Sequence, residues 1–428
     1  MNLRNQLLAL FCVLVFIAGG FLFFHTWVVQ KPFGVILFIG DGLVPGNLTA
    51  ARIYDGGADH RLTMDGFPNL ALMTNYAADF AVPDSPAAAS AIATGVKVDN
   101  GTIGIGPKGR MLQSILELAK QKGRAVGIVT TGGLTDASIA SFYAHSNKSS
   151  ALDDIATQFA EKSSVDVALG GGAQDFTPES KGGHRKDGRD LLLEMKQRNV
   201  EIMRSKSDLE NASLFATAPR VGIFASGDIA YSNQIQPGSE EPTLSDMVRR
   251  AIQFLELHER GYVLVVDAEL ISRAAAQNDG EHVLTETVDM DRAVATAMRY
   301  AGDKSVIVAA GIHATGGMTL NGYPLRQEHG VGLLGVNAFG YPAIAWATGP
   351  MGPQKFAAAA APAVSGTQPA PQASPAQQAP ISEPAALFTP TALDSAQDVI
   401  AIGRGPGTEA IKGEIDNTAL FQILQGSF

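Results

Sequence analysis

Short, continuous apolar runs recur along most of this chain of 428 residues, and each is followed by a polar turn and then a helical stretch. Runs without polar alternation are typical of strands buried on both faces, as in parallel sheets covered by helices. The pattern therefore predicts an α/β fold with a mostly parallel central sheet and helices on both of its faces. The clearest strands are predicted at 34–39, 125–130, 165–169, 262–266 and 305–309. Helices are predicted at 87–93, 111–120, 151–161 and 244–257.

The N-terminal segment predicts export from the cytoplasm. Residues 7–24 (LLALFCVLVFIAGGFLFF) carry no charge and follow Arg4. A secretory hydrophobic region is usually ~7–15 residues long, whereas a membrane-spanning helix needs ~20. Because no clear small-x-small cleavage site follows, we prefer an uncleaved signal anchor to a cleaved signal peptide, with a buried core helix as the third interpretation. Residues 1–30 are then a membrane anchor or signal segment, and residues 31–428 lie in the cell envelope, facing the periplasm or the outside.

Charge and cysteine content exclude some partners and cross-links. The formal net charge is −10 and no Lys/Arg-rich run offsets it, which argues against nucleic acid bound through a basic surface. Cys12 is the only cysteine, so no intramolecular disulfide can form.

One internal segment differs in composition from the rest of the domain. Residues from about 356 to 390 consist mainly of Ala, Pro, Gln and Ser. Such a segment cannot bury enough apolar surface to order itself, which predicts a disordered insertion within a single domain, 31–428. Strand-like pattern resumes at 398–402, and a last helix is predicted at 418–424.

Polar side chains follow four of the predicted strands. They are Asp41, Asp136 with Ser138, Asp267, and His313. Because ligands bind at the carboxyl ends of strands in open parallel sheets, these side chains are candidates for one shared site. Each aspartate alone is more often a turn former or helix cap. Together, oxygen ligands with one imidazole suit Mg²⁺ or Zn²⁺.

Ser85 opens an alanine-rich stretch, VPDSPAAASAIATG. We predict Ser85 as the helix N-cap and Pro86 as the first helical residue, which would aim backbone N–H groups and the positive helix end at a ligand beside Ser85. One interpretation is a capped helix and nothing more. The other is a serine nucleophile that attacks a phosphoryl group, assisted by a metal ion. A Ser-His-Asp triad is disfavoured because no G-x-S-x-G elbow surrounds Ser85.

Successive segments of the chain resemble the alkaline phosphatase family, in family order and over most of residues 33–424. They are VILFIGDG, DSPAAASAIATGVKVDNGTIGI, VGIVTTGGLTDAS, SFYAHS, ALGGG, GGHRKDGRDLL, TETVDMDRAV, HATGGMTLNGYPL and IAIGRGPGTEAIKGEIDNT. The resemblance implies an alkaline-phosphatase-like three-layer sandwich. It also implies hydrolysis of phosphate monoesters, with two zinc ions and one magnesium ion beside a transiently phosphorylated serine. Members of this family commonly form homodimers, although no stretch here identifies a subunit interface.

The resemblance assigns roles to the nucleophile and its neighbours. Ser85 matches the family's nucleophile and Asp84 the aspartate that precedes it. Asp41 matches the aspartate that bridges the magnesium and one zinc, and His313 matches a histidine of that zinc.

The resemblance also implies a complete magnesium site. Ser138 stands where the family has a Thr or Ser ligand. Asp267 stands where a Glu completes the site, and is shorter by one methylene with the same charge. Asp136 matches the acidic or histidine position close to the magnesium waters.

Several zinc-ligand positions depart from the family. An Asp and a His of the second zinc are replaced by Ser272 and Ala276, and its late His by Asp394. The Asp before His313 is Ile312, and the phosphate-binding arginine is absent, with Lys148 in its neighbourhood as a point charge that could attract phosphate. We therefore expect a retained magnesium site, a zinc site with a minimal ligand set, and a second zinc site that is lost.

These departures leave three functions open. The chain is a divergent phosphomonoesterase that uses Ser85, or a pseudophosphatase that serves as a metal- or phosphate-binding interaction module at the membrane. The third, a sulfatase- or phosphodiesterase-like relative, is disfavoured because the matched segments are those of monoesterases.

Overall fold

The computed structural model describes residues 3–23, 33–321, 342–353 and 383–427. The strands within these ranges, numbered in chain order, are β1 (Gly34–Gly40), β2 (Asn69–Thr74), β3 (Ile105–Gly106), β4 (Arg110–Met111), β5 (Ala125–Gly133), β6 (Val167–Gly171), β7 (Glu201–Met203), β8 (Arg220–Ile223), β9 (Tyr262–Ala268), β10 (Val306–Gly311), β11 (Ala314–Thr315), β12 (Thr319–Leu320), β13 (Ile344–Gly349), β14 (Ala385–Phe388), β15 (Asp394–Ser395), β16 (Val399–Arg404) and β17 (Lys412–Asp416). The α-helices within the same ranges are α1 (Leu3–Phe23), α2 (Pro45–Gly56), α3 (Ser85–Thr94), α4 (Ile115–Gln121), α5 (Ala137–Ala140), α6 (Leu152–Lys162), α7 (Ala173–Phe176), α8 (Leu191–Gln197), α9 (Lys206–Asn211), α10 (Leu244–Leu255), α11 (Leu270–Ala276), α12 (Gly280–Ala301) and α13 (Ala419–Gln425).

The central sheet has ten strands in the order β17-β2-β16-β10-β1-β9-β5-β6-β8-β7. The seven strands from β10 to β7 are all parallel to their neighbours, and β16 is antiparallel to both β10 and β2. The mostly parallel sheet predicted from the apolar runs is confirmed, and each of the five predicted strands starts within two residues of the observed one.

Strand β1 shows how helices come to cover both faces. Its residues Ile36 and Phe38 belong to one apolar cluster, whereas Val35, Leu37 and Ile39 belong to the other. Successive side chains of a strand point to opposite faces, so the sheet separates the two clusters. The first cluster contains residues of α2, α10, α11 and α12, and the second contains residues of α3, α4, α6, α8 and α13. The three-layer sandwich is thereby confirmed.

Helix α1 lies outside these layers, with its described side chains exposed. Within it, Arg4–Leu22 is long and apolar enough to cross a membrane, judged by length and composition, and a signal sequence near an N-terminus has the same properties. The predicted insertion at about 356–390 lies outside the described residues except for its last eight. Those residues contain β14, which pairs with β13, so the prediction of disorder is wrong for this end of the segment.

Candidate active site

Four neighbouring strands, in the order β10-β1-β9-β5, end at one edge of the sheet. Asp41 directly follows β1, Asp267 lies near the end of β9, and His313 lies two residues beyond β10. Asp267 is paired in register with Ile39 of β1 and with Thr130 of β5. Because parallel strands present their carboxyl ends together, this topology brings the predicted side chains to one place.

Asp84, and not Ser85, is the N-cap of helix α3. The Asp84 Oδ1 atom accepts a hydrogen bond from the Ala87 N–H (3.0 Å), and Oδ2 accepts one from the Gly101 N–H (2.6 Å). The predicted N-cap at Ser85 is therefore wrong by one residue, because the carboxylate of Asp84 meets the capping requirement of the helix. The Ser85 hydroxyl is thus available to donate to Asp41 Oδ2, at 2.7 Å.

The other carboxylate oxygen of Asp41 faces His313. Asp41 Oδ1 lies 2.5 Å from His313 Nδ1, yet the two atoms lack hydrogen-bond geometry, and each is buried without a hydrogen-bond partner. Burial alone would raise the pKa of Asp41, but His313 and the Ser85 hydroxyl hold it below its usual value. The contact is therefore a buried pair between the Asp41 carboxylate and the imidazole of His313.

His313 also contacts residues from a distant part of the chain. Its Nε2 lies 3.1 Å from Asp394 Oδ1 and 3.0 Å from Thr315 Oγ1. Burial by itself would lower the pKa of His313, but Asp41 and Asp394 raise it to about 10. Asp41 and Asp394 therefore both contact the imidazole of His313.

Ser138 connects Asp267 to an acidic residue that sequence reasoning missed. The Ser138 hydroxyl lies 2.8 Å from Asp267 Oδ2 and 2.9 Å from Glu269 Oε2, and Thr130 Oγ1 donates to the same Asp267 oxygen at 3.1 Å. Burial and the neighbouring Asp41 raise the pKa values of Asp267 and Glu269 well above their usual range. The available signal for Glu269 was its place one residue beyond the end of β9, at the edge of the sheet where ligands bind.

Asp136 lies next to this group. Its Oδ2 accepts a hydrogen bond from the Gly133 N–H (2.7 Å), and its Oδ1 lies 3.0 Å from the guanidinium of Arg273. Burial raises the pKa of Asp136 to about 6, although Arg273 opposes the shift. Arg273 also contacts Glu269 (3.3 Å) and Asp228 (3.4 Å), and sequence reasoning missed it.

Lys148 lies on the surface, outside the group of buried side chains described above. Its side chain is exposed and contacts no carboxylate in the part of the chain that the structure describes. The neighbouring Ser149 N–H donates to the Gly101 carbonyl (2.7 Å), and Gly101 in turn donates to Asp84. Lys148 therefore lies on a turn joined to the start of α3, and within the described residues it makes no hydrogen bond to Ser85.

Ser272, Ala276 and Ile312, which the sequence predicts at zinc-ligand positions of the family, make contacts of other kinds in the structure. The Ser272 hydroxyl donates to the Glu269 carbonyl at 3.1 Å, Ala276 has no polar side-chain atom, and Ile312 is buried in an apolar cluster. None of these three side chains carries a carboxylate or an imidazole, so none of them is a typical zinc ligand. Within the described ranges, no three or more His, Cys, Asp and Glu side chains are already arranged to hold a metal ion.

A family model matches most of this chain. The model for alkaline phosphatase matches residues 34–427. The chain belongs to the alkaline phosphatase family. This family hydrolyses phosphate monoesters and generally uses Zn²⁺ and Mg²⁺.

Individual relatives agree with the family model. Alkaline phosphatase 4 of Bacillus subtilis is 30% identical over 356 residues, 78% of this chain and 74% of the relative. The tissue-nonspecific alkaline phosphatase of chicken is 33% identical over 344 residues, which are 68% of this chain and 66% of the chicken enzyme. Among solved structures, the alkaline phosphatase of the Antarctic bacterium TAB5 has a TM-score of 0.70 at 21% identity, covering 93% of this chain and 98% of that one. The Thermus thermophilus enzyme has a TM-score of 0.69 at 23% identity, covering 93% and 91%.

Proposed function

We propose that this chain hydrolyses phosphate monoesters through a phosphoserine at Ser85. The observation that carries the proposal is the 2.7 Å hydrogen bond from the Ser85 hydroxyl to Asp41, at the first residue of a helix whose N-cap is already supplied by Asp84. A serine whose hydroxyl is not used for capping is available as a nucleophile, and the helix N-terminus beside it favours an anion.

In the two chemical steps, Ser85 Oγ first forms a bond to phosphorus and then breaks it. In the first, a bond forms between Ser85 Oγ and phosphorus while the ester P–O bond breaks, and the alcohol leaves with a proton. In the second, water attacks the same phosphorus, the Oγ–P bond breaks, Ser85 Oγ takes up a proton from the water, and inorganic phosphate leaves. Asp41, whose pKa is low despite its burial, remains a carboxylate and orients the hydroxyl for attack.

The donor sets indicate which ions the site would hold. Ser138, Asp267 and Asp41 provide hydroxyl and carboxylate oxygens, which suit Mg²⁺. Asp41, His313 and the adjacent Asp394 provide a minimal set for Zn²⁺ beside Ser85. A bound divalent cation would stabilise the serine alkoxide and the charge of the phosphoryl group. Lys148 is retained as a candidate that attracts phosphate through its charge.

The alternative is a pseudophosphatase that binds metal or phosphate as an interaction module at the membrane. The observation that favours it is the loss of ligands at the second zinc, where Ser272 and Ala276 stand. Without a second cation the leaving oxygen is less stabilised, which costs on the order of 10²–10⁴ in rate. We therefore expect a slower enzyme than family members that hold both zinc ions.

Hydrolysis of p-nitrophenyl phosphate by the full-length protein, with added Zn²⁺ and Mg²⁺, tests the proposal. We expect Ser85→Ala to lower kcat by about 10³ or more, because the nucleophile is lost. Ser207→Ala, an exposed serine on α9, is the matched control and should leave kcat unchanged. Phosphate ester trapped on the Ser85 peptide at acid pH would support the mechanism directly. Absence of hydrolysis in millimolar metal would favour the pseudophosphatase.

We further propose that α1 anchors an exported domain in the membrane, facing the periplasm or the outside, and that the domain forms a homodimer as is common in the family. The length and apolar composition of Arg4–Leu22 support the anchor. Protease added to spheroplasts, in which the periplasmic side of the membrane is accessible, should digest the domain, and chemical cross-linking should give a dimer. Protection of the domain from protease would contradict export.

A further inference from the structure

Glu269 lies where a buried carboxylate would complete a cation site. Its side chain is 7% exposed, Oε2 lies 2.9 Å from Ser138 Oγ, and Oε1 lies 3.3 Å from the Arg273 guanidinium. We propose that Glu269 is a further carboxylate ligand of the divalent cation bound by Asp41, Ser138 and Asp267. The proposal rests on the metal site of the proposed function, and it adds a ligand that the family motifs do not supply.

The Ser138 hydroxyl cannot satisfy both of its acidic neighbours. A hydroxyl has one proton to donate, whereas Asp267 Oδ2 and Glu269 Oε2 both lie within 2.9 Å of it. The second Asp267 oxygen, Oδ1, is buried and has no hydrogen-bond partner. Because Thr130 Oγ1 also donates to Asp267 Oδ2 (3.1 Å), the oxygen left without a donor is Asp267 Oδ1, and a cation bound there would take the place of the missing donor.

The charges around Ser138 also favour the binding of a cation there. Asp41 and Asp267 are fully buried, and Glu269 is 5% exposed. Asp41 faces His313 and Glu269 faces Arg273, but in the described part of the chain no Lys, Arg or His nitrogen lies within 4.0 Å of the Asp267 carboxylate. A buried carboxylate without a positively charged partner is unfavourable, and a divalent cation shared with Glu269 would supply that partner.

The donor types select the class of cation. Three carboxylates and one hydroxyl are hard oxygen ligands, with no sulfur or imidazole among them. Such a set fits the octahedral coordination of Mg²⁺ or Mn²⁺, with water in the remaining positions. Glu269 adds one negative charge to the set, and affinity for these ions rises with ligand charge.

Calorimetric titration of MgCl₂ into the full-length apoprotein, without substrate, tests the role of Glu269. We expect Glu269→Gln, which keeps the size and an acceptor oxygen, to raise the Kd for Mg²⁺ by about ten- to a hundredfold. Asp228→Asn is the matched control, because Asp228 also pairs with Arg273 (3.4 Å) but is not among the Ser138 contacts. The control should change the Kd by less than about threefold. Equal effects of the two variants would overturn the proposal, since long-range charge alone would then explain the loss.

The melting temperature in EDTA separates ligation from a structural role. If Glu269 is a ligand, Glu269→Gln should melt no lower than the wild type in EDTA, because it relieves repulsion among buried carboxylates, and it should gain less from added Mg²⁺. A lower melting temperature in EDTA with an unchanged Kd would identify a structural hydrogen-bond acceptor and overturn the proposal. Hydrolysis by a wild type that binds no Mg²⁺ would overturn it while the proposed function stands. Mg²⁺ binding that depends on Glu269, without hydrolysis, would support the role of Glu269 and contradict the proposed function.

Discussion

Glu383 joins two parts of the fold through one buried oxygen atom. Its Oε2 accepts a hydrogen bond from the Gly280 N–H at the start of α12 (2.9 Å) and another from Trp346 Nε1 in β13 (2.9 Å). Burial raises the pKa of Glu383 to about 7, against the effect of these two donors. Replacement of Glu383 by Gln keeps an acceptor oxygen and removes the titration.

The size of the expected change in stability follows from the shift in the pKa of Glu383. A pKa that rises from 4.5 in the unfolded chain to about 7 in the fold corresponds to ~3 kcal/mol. The folded protein then binds the proton more tightly than the unfolded chain. The contribution of Glu383 to stability is therefore fully present below about pH 4.5 and is lost as the pH rises through about 7. We expect Glu383→Gln to match the wild type at about pH 5 within ~1 kcal/mol, and to be more stable by ~2–3 kcal/mol at about pH 8.

Urea unfolding in EDTA, followed by tryptophan fluorescence at several pH values, measures this difference. The active-site carboxylates titrate in both proteins, so their effects cancel in the difference between the two free energies of unfolding. Glu259→Gln, an exposed residue beyond the end of α10, is the control and should show a pH-independent difference. A difference for Glu383→Gln that is the same at about pH 5 and at about pH 8 would refute the assigned pKa.

Two further predictions concern the nucleophile and its surroundings. Asp84→Ala removes the acceptor of the Ala87 and Gly101 N–H groups, so it should lower the free energy of unfolding by ~2–4 kcal/mol and reduce kcat through misplacement of Ser85; unchanged denaturant midpoints would contradict this. Gly311→Ala would place a Cβ 2.0 Å from the Leu43 carbonyl oxygen, so it should shift His313, destabilise the fold by ~1–3 kcal/mol and lower activity. Gly46→Ala meets nothing within 4 Å and is its control; equal effects of the two substitutions would contradict the steric explanation.

The sheet and the strand ends were predictable from the sequence because they depend on local pattern. Continuous apolar runs indicated buried parallel strands, and the polar residues after them indicated one functional edge. Asp41, Asp267 and His313 do lie at that edge, and Ser85 lies at the start of a helix that faces it. The order of the strands was beyond the sequence, since β1 lies between β9 and β10, two strands far along the chain.

Side-chain partnerships were decided only by the tertiary structure. Asp84 and Ser85 are adjacent, and either residue type suits an N-cap. Asp84 takes the N-cap position, where Gly101 donates to its carboxylate, and Ser85 donates to Asp41 instead. The contact of Asp394 with His313 likewise depends on the pairing of β15 with β11. The sequence determined which residues reach the edge of the sheet, because a strand's pattern and its end are local properties. Only packing determined which of those residues touch, because hydrogen bonds and charge pairs join atoms that the chain brings together from far apart.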